Sequence, residues 1–238
     1  MKTIAFIFAR GGSKGLRRKN LLELGGISLV GRAVKQALAV AGIERVIIST
    51  DDQEIADEAV IHGAECHFLR PDSLATDTAS EWDAWRHAVE WLEQNLGSFD
   101  LFVSVPATSP LRRPEDIENA IKLYEGGEVE MVITGSAAER NPYFNMVKQC
   151  DNGEVALVCA EKSITRRQDA PKIYDMTTVA YVTSPQYVAQ YTNLWGGRTK
   201  ISLVPKRRAA DVDTLEDLTA ARAVHGLEPE YYDAGWSH

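Results

Sequence analysis

Five cations crowd into ten residues near the amino end: Arg10, Lys14, Arg17, Arg18 and Lys19. They are interleaved with Gly11, Gly12, Ser13 and Gly15 and followed by Asn20. Glycines let backbone N–H groups approach an anion closely, and guanidinium and ammonium groups neutralise polyphosphate oxygens. The spacing is neither GxxxxGK[ST] nor GxGxxG. A solvated basic turn would use the same residues. A basic cluster directly after an apolar strand, in a chain of net charge −8, favours an anion site. Late in the chain, Asp211 and Asp213 alternate around Val212. On extended backbone, such a pair projects to one side and can share a hard divalent cation. The same stretch can cap a helix, with Asp213 or Thr214 as N-cap.

Three further segments carry polar groups in order. Arg70-Pro71 and Leu74–Ser80 place an arginine at a strand end and a Thr/Asp/Ser cluster before a helix, where capping by Asp77, Thr78 or Ser80 is the simpler use. Pro106–Arg112 is a proline-punctuated polar loop containing Thr108 and Ser109. Arg166, Arg167, Gln168 and Tyr174 fit a carboxylate gripped by parallel guanidinium hydrogen bonds, or an exposed ion-pair cluster.

Composition bounds the host. The chain has 238 residues, 45% hydrophobic and 25% charged, enough for one large domain. The acidic balance argues against a nucleic-acid surface. Cys66, Cys150 and Cys159 lack CxxC spacing, which fits a reducing cytoplasm rather than a disulfide framework or zinc site. Residues 3–9 are too short an apolar run for a membrane span and read as a buried strand.

The elements that must position these residues alternate. Strands are expected at 3–9, 45–49, 66–69, 101–105, 131–134, 177–183 and 200–204. Helices are expected at 28–41, 53–62, 80–96, after Pro114, and 215–225. This pattern predicts βαβ units and a mostly parallel sheet. From about 137 to 175 the chain reads as an inserted arm within a single domain 1–238, with a turn at Asp151-Asn152-Gly153. In such sheets ligands bind beyond the carboxyl ends of the strands, where the glycine loop, Pro106–Arg113 and Asp211–Asp213 all fall. Trp82, Trp85 and Trp91 read as core or interface, and the five histidines show no ligand spacing.

The run Ile4-Ala5 through Ala9-Arg10-Gly11-Gly12-Ser13-Lys14-Gly15 to Lys19-Asn20 resembles the CMP-sialic acid synthetases, the acylneuraminate cytidylyltransferases, in their nine-carbon sugar acid branch. The other four segments resemble the family in the same order, across nearly the whole chain. The resemblance implies a Rossmann-like, GT-A-like nucleotidyltransferase fold whose arm dimerises. It implies a cytoplasmic homodimer that uses CTP, a sugar acid and Mg²⁺ (or Mn²⁺), without nucleic acid or membrane. It assigns Arg10, Gly11, Gly12, Ser13, Lys14 and Lys19 to the triphosphate, Asn20 to the nucleoside, and Arg70 and Ser80 to cytosine. It assigns Thr108, Ser109, Arg167, Gln168 and Tyr174 to the sugar, and Asp211 and Asp213 to the metal. Arg10, Lys14, Lys19 and Asp211 are the expected catalytic residues. Two departures imply an altered sugar pocket: Pro106 stands where the sialic acid enzymes have glutamine, and Met176–Ala180 replaces Asn-Gly-Ala. The rival readings are a Kdo cytidylyltransferase, a metal-dependent glycosyltransferase and a CTP-binding domain without turnover.

Overall fold

The computed structural model describes residues 1–13, 15–160, 164 and 166–233. The chain opens with β1 (Thr3–Phe8), whose apolar run buries both faces. A hairpin of β2 (Glu23–Leu24) and β3 (Ile27–Ser28) leads into α1 (Leu29–Leu38). The Ser28 hydroxyl caps α1 by accepting the Gly31 N–H at 3.0 Å. Then come β4 (Ile43–Ser49), α2 (Gln53–Ile61), α3 (Glu81–Leu96), β5 (Leu101–Ser104), α4 (Pro114–Glu125) and β6 (Met131–Ala137). After an excursion, β9 (Tyr174–Thr183), α5 (Pro185–Gln190), β10 (Thr199–Leu203), α6 (Leu215–Leu227) and α7 (Pro229–Tyr232) follow. The excursion carries a short antiparallel hairpin, β7 (Val147–Gln149) with β8 (Val155–Leu157). Its turn uses Gly153 at φ 83°, conformational space that suits glycine.

Six strands form one sheet in the order β10-β6-β9-β5-β1-β4. The pairs β1–β4, β1–β5 and β6–β10 are parallel, and β9 runs antiparallel between β5 and β6. Alternation along β1 sends Ala5 and Ile7 towards α1 and α4, and Ile4 and Phe6 towards α3. On the α3 side, Trp85 lies 5.2 Å from Phe102 and 5.4 Å from Tyr181, centroid to centroid, and Phe6 lies 4.9 Å from Phe102. Aromatic pairs at these distances add to the burial that holds α3 on the sheet. A smaller apolar cluster of Leu24, Leu29, Leu111, Val212 and Leu218 seats α6 and the 211–213 segment against the hairpin.

The sequence expectations hold for most elements within a few residues, but not for 66–69. An isolated bridge of Glu65 with Ile47 precedes that segment, which itself forms no strand. Phe68 turns away to pack on His87 (5.1 Å) and Trp91 (5.0 Å) of α3, which draws the chain off the β4 edge. The β2–β3 hairpin, α5 and α7 were not expected. Trp82 and Trp85 are core residues, as expected, while Trp91 is half-buried.

Candidate active site

The carboxyl ends of β1, β4 and β5 open onto two adjoining cavities that share Phe8 and Arg10. The first, about 320 Å³, is lined by Arg10, Ser13, Lys19, Asn20, Thr108 and Asp213, among others. The loop after β1 reaches it by close packing that only glycine allows. A Cβ on Gly15 would lie 2.6 Å from the Asp213 carbonyl oxygen, and one on Gly11 would lie 2.8 Å from an Asp52 carboxylate oxygen. Gly12 faces open space. Asn20 is buried and donates from Nδ2 to the Arg10 carbonyl at 3.0 Å, so it fixes the loop's own backbone. It sits on the Lys19 side, apart from Arg70 and Ser80. Lys14 lies outside the described residues.

Lys19 Nζ donates to Asp213 Oδ1 at 2.6 Å across this cavity, joining positions 194 residues apart. Asp211 and Asp213 are exposed on either side of buried Val212. The Val212 N–H donates to the Thr108 carbonyl at 2.8 Å, which fixes the pair beside the β5 loop. Helix capping falls to Thr214, whose hydroxyl accepts the Asp217 N–H while Asp217 accepts the Thr214 N–H. Asp217's carboxyl is thereby held below its ordinary value, first by the Thr214 hydroxyl and then by the Thr214 and Asp213 N–H groups. The cap thus leaves Asp211 and the second oxygen of Asp213 to other uses. No group of three or more His, Cys, Asp or Glu that could hold a metal occurs among the described residues. Two carboxylates, one already facing an ammonium, are oxygen donors of the kind a hard divalent cation takes.

The second cavity, about 280 Å³, is lined by Arg70, Thr76, Asp77, Ser80 and Glu81 besides Phe8 and Arg10. Arg10 spans the two, donating to the Thr76 carbonyl at 3.1 Å and to Asp77 Oδ1 at 3.0 Å. Arg70 is buried at 6% exposure, and its Nε has no hydrogen-bond partner among the described residues. Its Nη2 lies 3.5 Å from Asp51 Oδ1, and burial pulls its pKa down against the pull of Asp51. Ser80 is the N-cap of α3, accepting the Trp82 N–H at 3.1 Å, and its hydroxyl still lines the cavity.

Sequence reasoning missed several residues here. Asp51 accepts the Gly11 N–H at 3.0 Å and ties the glycine loop to the end of β4. Its signal was present, because Ser49-Thr50-Asp51-Asp52 follows an apolar strand at its carboxyl end. Arg112 is fully buried, and burial pulls its pKa down to about 9 against the opposing charges of Asp116 and Asp211. It donates to the carbonyls of Ser109 (2.9 Å) and Pro106, while Gln36 donates to those of Pro110 and Arg112 at 2.8 Å each. These bonds hold the β5 loop rigidly over the sheet. Ser109 is itself buried, with its hydroxyl 2.7 Å from that of Thr178, so its side chain is turned inward.

Arg167, Gln168 and Tyr174 come together elsewhere, in a third cavity on the arm with Arg140 and Lys172. Within one chain this cavity is separate from the one that holds Thr108. Arg167 Nη2 donates to the Glu139 carbonyl at 3.0 Å, and Arg166 pairs with Asp169 at 2.8 Å.

Comparison with known proteins accords with this geometry. A family model described as "Cytidylyltransferase" matches residues 4–203. A CMP-N,N'-diacetyllegionaminic acid synthase of Campylobacter jejuni is 32% identical over 212 residues, covering 89% of each chain. A pseudaminic acid cytidylyltransferase of the same species is 26% identical over 234 residues, covering 97% of this chain and 99% of the other. The solved structure of a CMP:2-keto-3-deoxy-manno-octonic acid synthetase complexed with CTP superposes with a TM-score of 0.70 at 19% identity, covering 96% of this chain and 100% of the other. That likeness establishes the fold: a six-stranded, mostly parallel sheet flanked by helices. By the match over residues 4–203 and the identity to its relatives, the chain belongs to the cytidylyltransferase family.

Proposed function

We propose that the chain joins CMP from CTP to the anomeric hydroxyl of a nine-carbon sugar acid of the legionaminic, pseudaminic or sialic type, releasing pyrophosphate. The observation that carries this reading is the meeting of Lys19 and Asp213 at 2.6 Å in a cavity that Arg10 and Ser13 also line. Cations for a polyphosphate and carboxylates for its counter-ion thus share one wall. The names of the sequence relatives favour nine-carbon acids over the eight-carbon acid of the structural neighbour.

In the reaction, the sugar oxygen forms a bond to the α-phosphorus as the bond to the β-phosphate oxygen breaks. Such transfers run on positioning and charge neutralisation. Arg10, Lys19 and the backbone N–H groups of Gly12 and Ser13 hold the triphosphate, with Lys14 assigned there by sequence resemblance; the Gly11 N–H, given to Asp51, fixes the loop instead. Lys19 then neutralises the departing pyrophosphate. Asp211 and Asp213 would hold Mg²⁺ (or Mn²⁺), which supplies Lewis-acid charge at phosphate oxygens when bound. Arg70 and Ser80 receive the base, Thr108 borders the reacting centre, and Arg167, Gln168 and Tyr174 recognise the sugar acid. We take Ser109 to support that pocket through Thr178.

Residues 137–175 act in this reading as an arm that brings the sugar-recognising cavity to a second copy of the chain. Exposed Phe144, Met146, Val147, Val155 and Val158 on the arm supply apolar surface for a homodimer. A cytoplasmic setting is supported by three unpaired cysteines. No helix among the described residues is long and apolar enough to cross a membrane. The test is pyrophosphate release from CTP and Mg²⁺ with N-acetylneuraminate, legionaminate, pseudaminate and Kdo. Turnover with a nine-carbon acid supports the reading, whereas turnover with Kdo alone overturns the sugar class. Sedimentation of a monomer at working concentration would overturn the dimer.

A further inference from the structure

The second cavity carries more polar groups than the site assignments use. Phe8 belongs to its lining, and Arg70 and Glu81 occupy its polar wall with Ser80. Arg70 lines the cavity and its buried Nε has no hydrogen-bond partner among the described residues, so its guanidinium has donor capacity left over. The Ser80 hydroxyl accepts the Trp82 N–H and keeps its own hydrogen to donate. Two carboxylates could accept in return. Asp77 is bonded to Arg10 at 3.0 Å. Glu81, at the first turn of α3, remains as the acceptor open to the cavity.

The pairing edge of cytosine offers two adjacent acceptors, O2 and N3, and then one donor, the 4-amino group. Uracil reverses the last two positions, with a donor at N3 and an acceptor at O4. A wall of two donors and one carboxylate matches the first edge and repels the second. We propose that Glu81 sets base selectivity, its carboxylate accepting a hydrogen from the cytosine 4-amino group while Arg70 and Ser80 donate to O2 and N3. This rests on the reading of the cavity as the base site of a CTP-using enzyme. Crowding by the surrounding protein raises the Glu81 carboxyl above its ordinary value, and the charge of Asp211 raises it further. The Trp85 indole and the Arg70 guanidinium oppose this. A carboxylate in that setting gains from a new N–H donor and loses when faced by a carbonyl oxygen.

The test measures CTP and UTP binding, with Mg²⁺, to the wild-type chain and to Glu81→Gln and Glu81→Ala. Wild type is expected to favour CTP, and Glu81→Ala to lower the CTP/UTP affinity ratio by about tenfold or more. Glu81→Gln, close in shape and able to donate as well as accept, is expected to relax the ratio chiefly by gaining UTP. A merely structural role would weaken both nucleotides together and leave the ratio unchanged, which overturns the proposal while the reading of the cavity survives. Wild type that binds neither nucleotide overturns both. If Glu81→Ala does not fold, the near-isosteric Glu81→Gln decides the matter by itself.

Discussion

In the function proposed above, the phosphate corner and the arm each recognise an anion, and they are built in opposite ways. At the corner, Lys19 keeps only 11% of its side chain exposed and is met by a residue 194 positions away. Asn20, Asp51 and the Val212–Thr108 bond fix the surrounding backbone from three directions. On the arm, Arg166 is 65% exposed and pairs with Asp169 three residues on, and every residue of β7 is exposed. The contrast teaches that the sheet holds the Lys19–Asp213 corner in place through its core, while the cavity of Arg167 sits on an extension with little core of its own. At the corner Lys19–Asp213 spans 194 residues and Gly11–Asp51 spans 40, whereas on the arm Arg167–Glu139 spans 28 and Arg166–Asp169 three.

This difference can be broken or sharpened by substitution. Trp85→Ala removes the aromatic packing of α3 on the sheet and should cost about 3–5 kcal/mol of stability in urea unfolding. Val147→Ser on the arm should change stability by less than about 0.5 kcal/mol in the same assay. Equal effects would erase the distinction. Lys19→Ala or Asp211→Ala should lower turnover at least about a hundredfold, or about 2.7 kcal/mol, in pyrophosphate release. Near-normal release by either variant would remove that residue from the mechanism.

Arg167→Ala should raise the KM for the sugar acid about tenfold and leave that for CTP unchanged. A matching rise for CTP would mean that the arm serves the nucleotide instead. The smallest effect is expected at the outer edge of β4. Glu65 is held down to about 2, first by its hydrogen bond to Arg45, with burial opposing and His67 then lowering it further. A lowered carboxyl contributes stability that is present above its unfolded value and lost as pH falls through its folded one. Acid titration of stability should therefore show a loss between about 4.5 and 2, reduced in Arg45→Met. An unchanged profile in that variant would place the acid sensitivity elsewhere.

The legible parts of the molecule are those governed by local pattern. Apolar runs announced the strands, the helical pattern began at Ser28, and Ser80 and Thr214 were among the caps the sequence offered. Residues 66–69 misled because their apolar pattern fits a strand as well as it fits the covering of α3 by Phe68. Asp51 and Arg112 escaped because each acts on backbone distant in sequence or on its own loop, and no periodicity encodes that. Ser109 looked available in the sequence, and only the return of Thr178 beside it on β9 shows its hydroxyl engaged.

A crystal structure with CTP and Mg²⁺ bound tests the central claim most directly. The account predicts the triphosphate against Arg10, Lys19 and the glycine-loop N–H groups, with the cation on Asp211 and Asp213 and the Lys19–Asp213 contact opened. Triphosphate bound away from that loop, or a cation held without either aspartate, would contradict it.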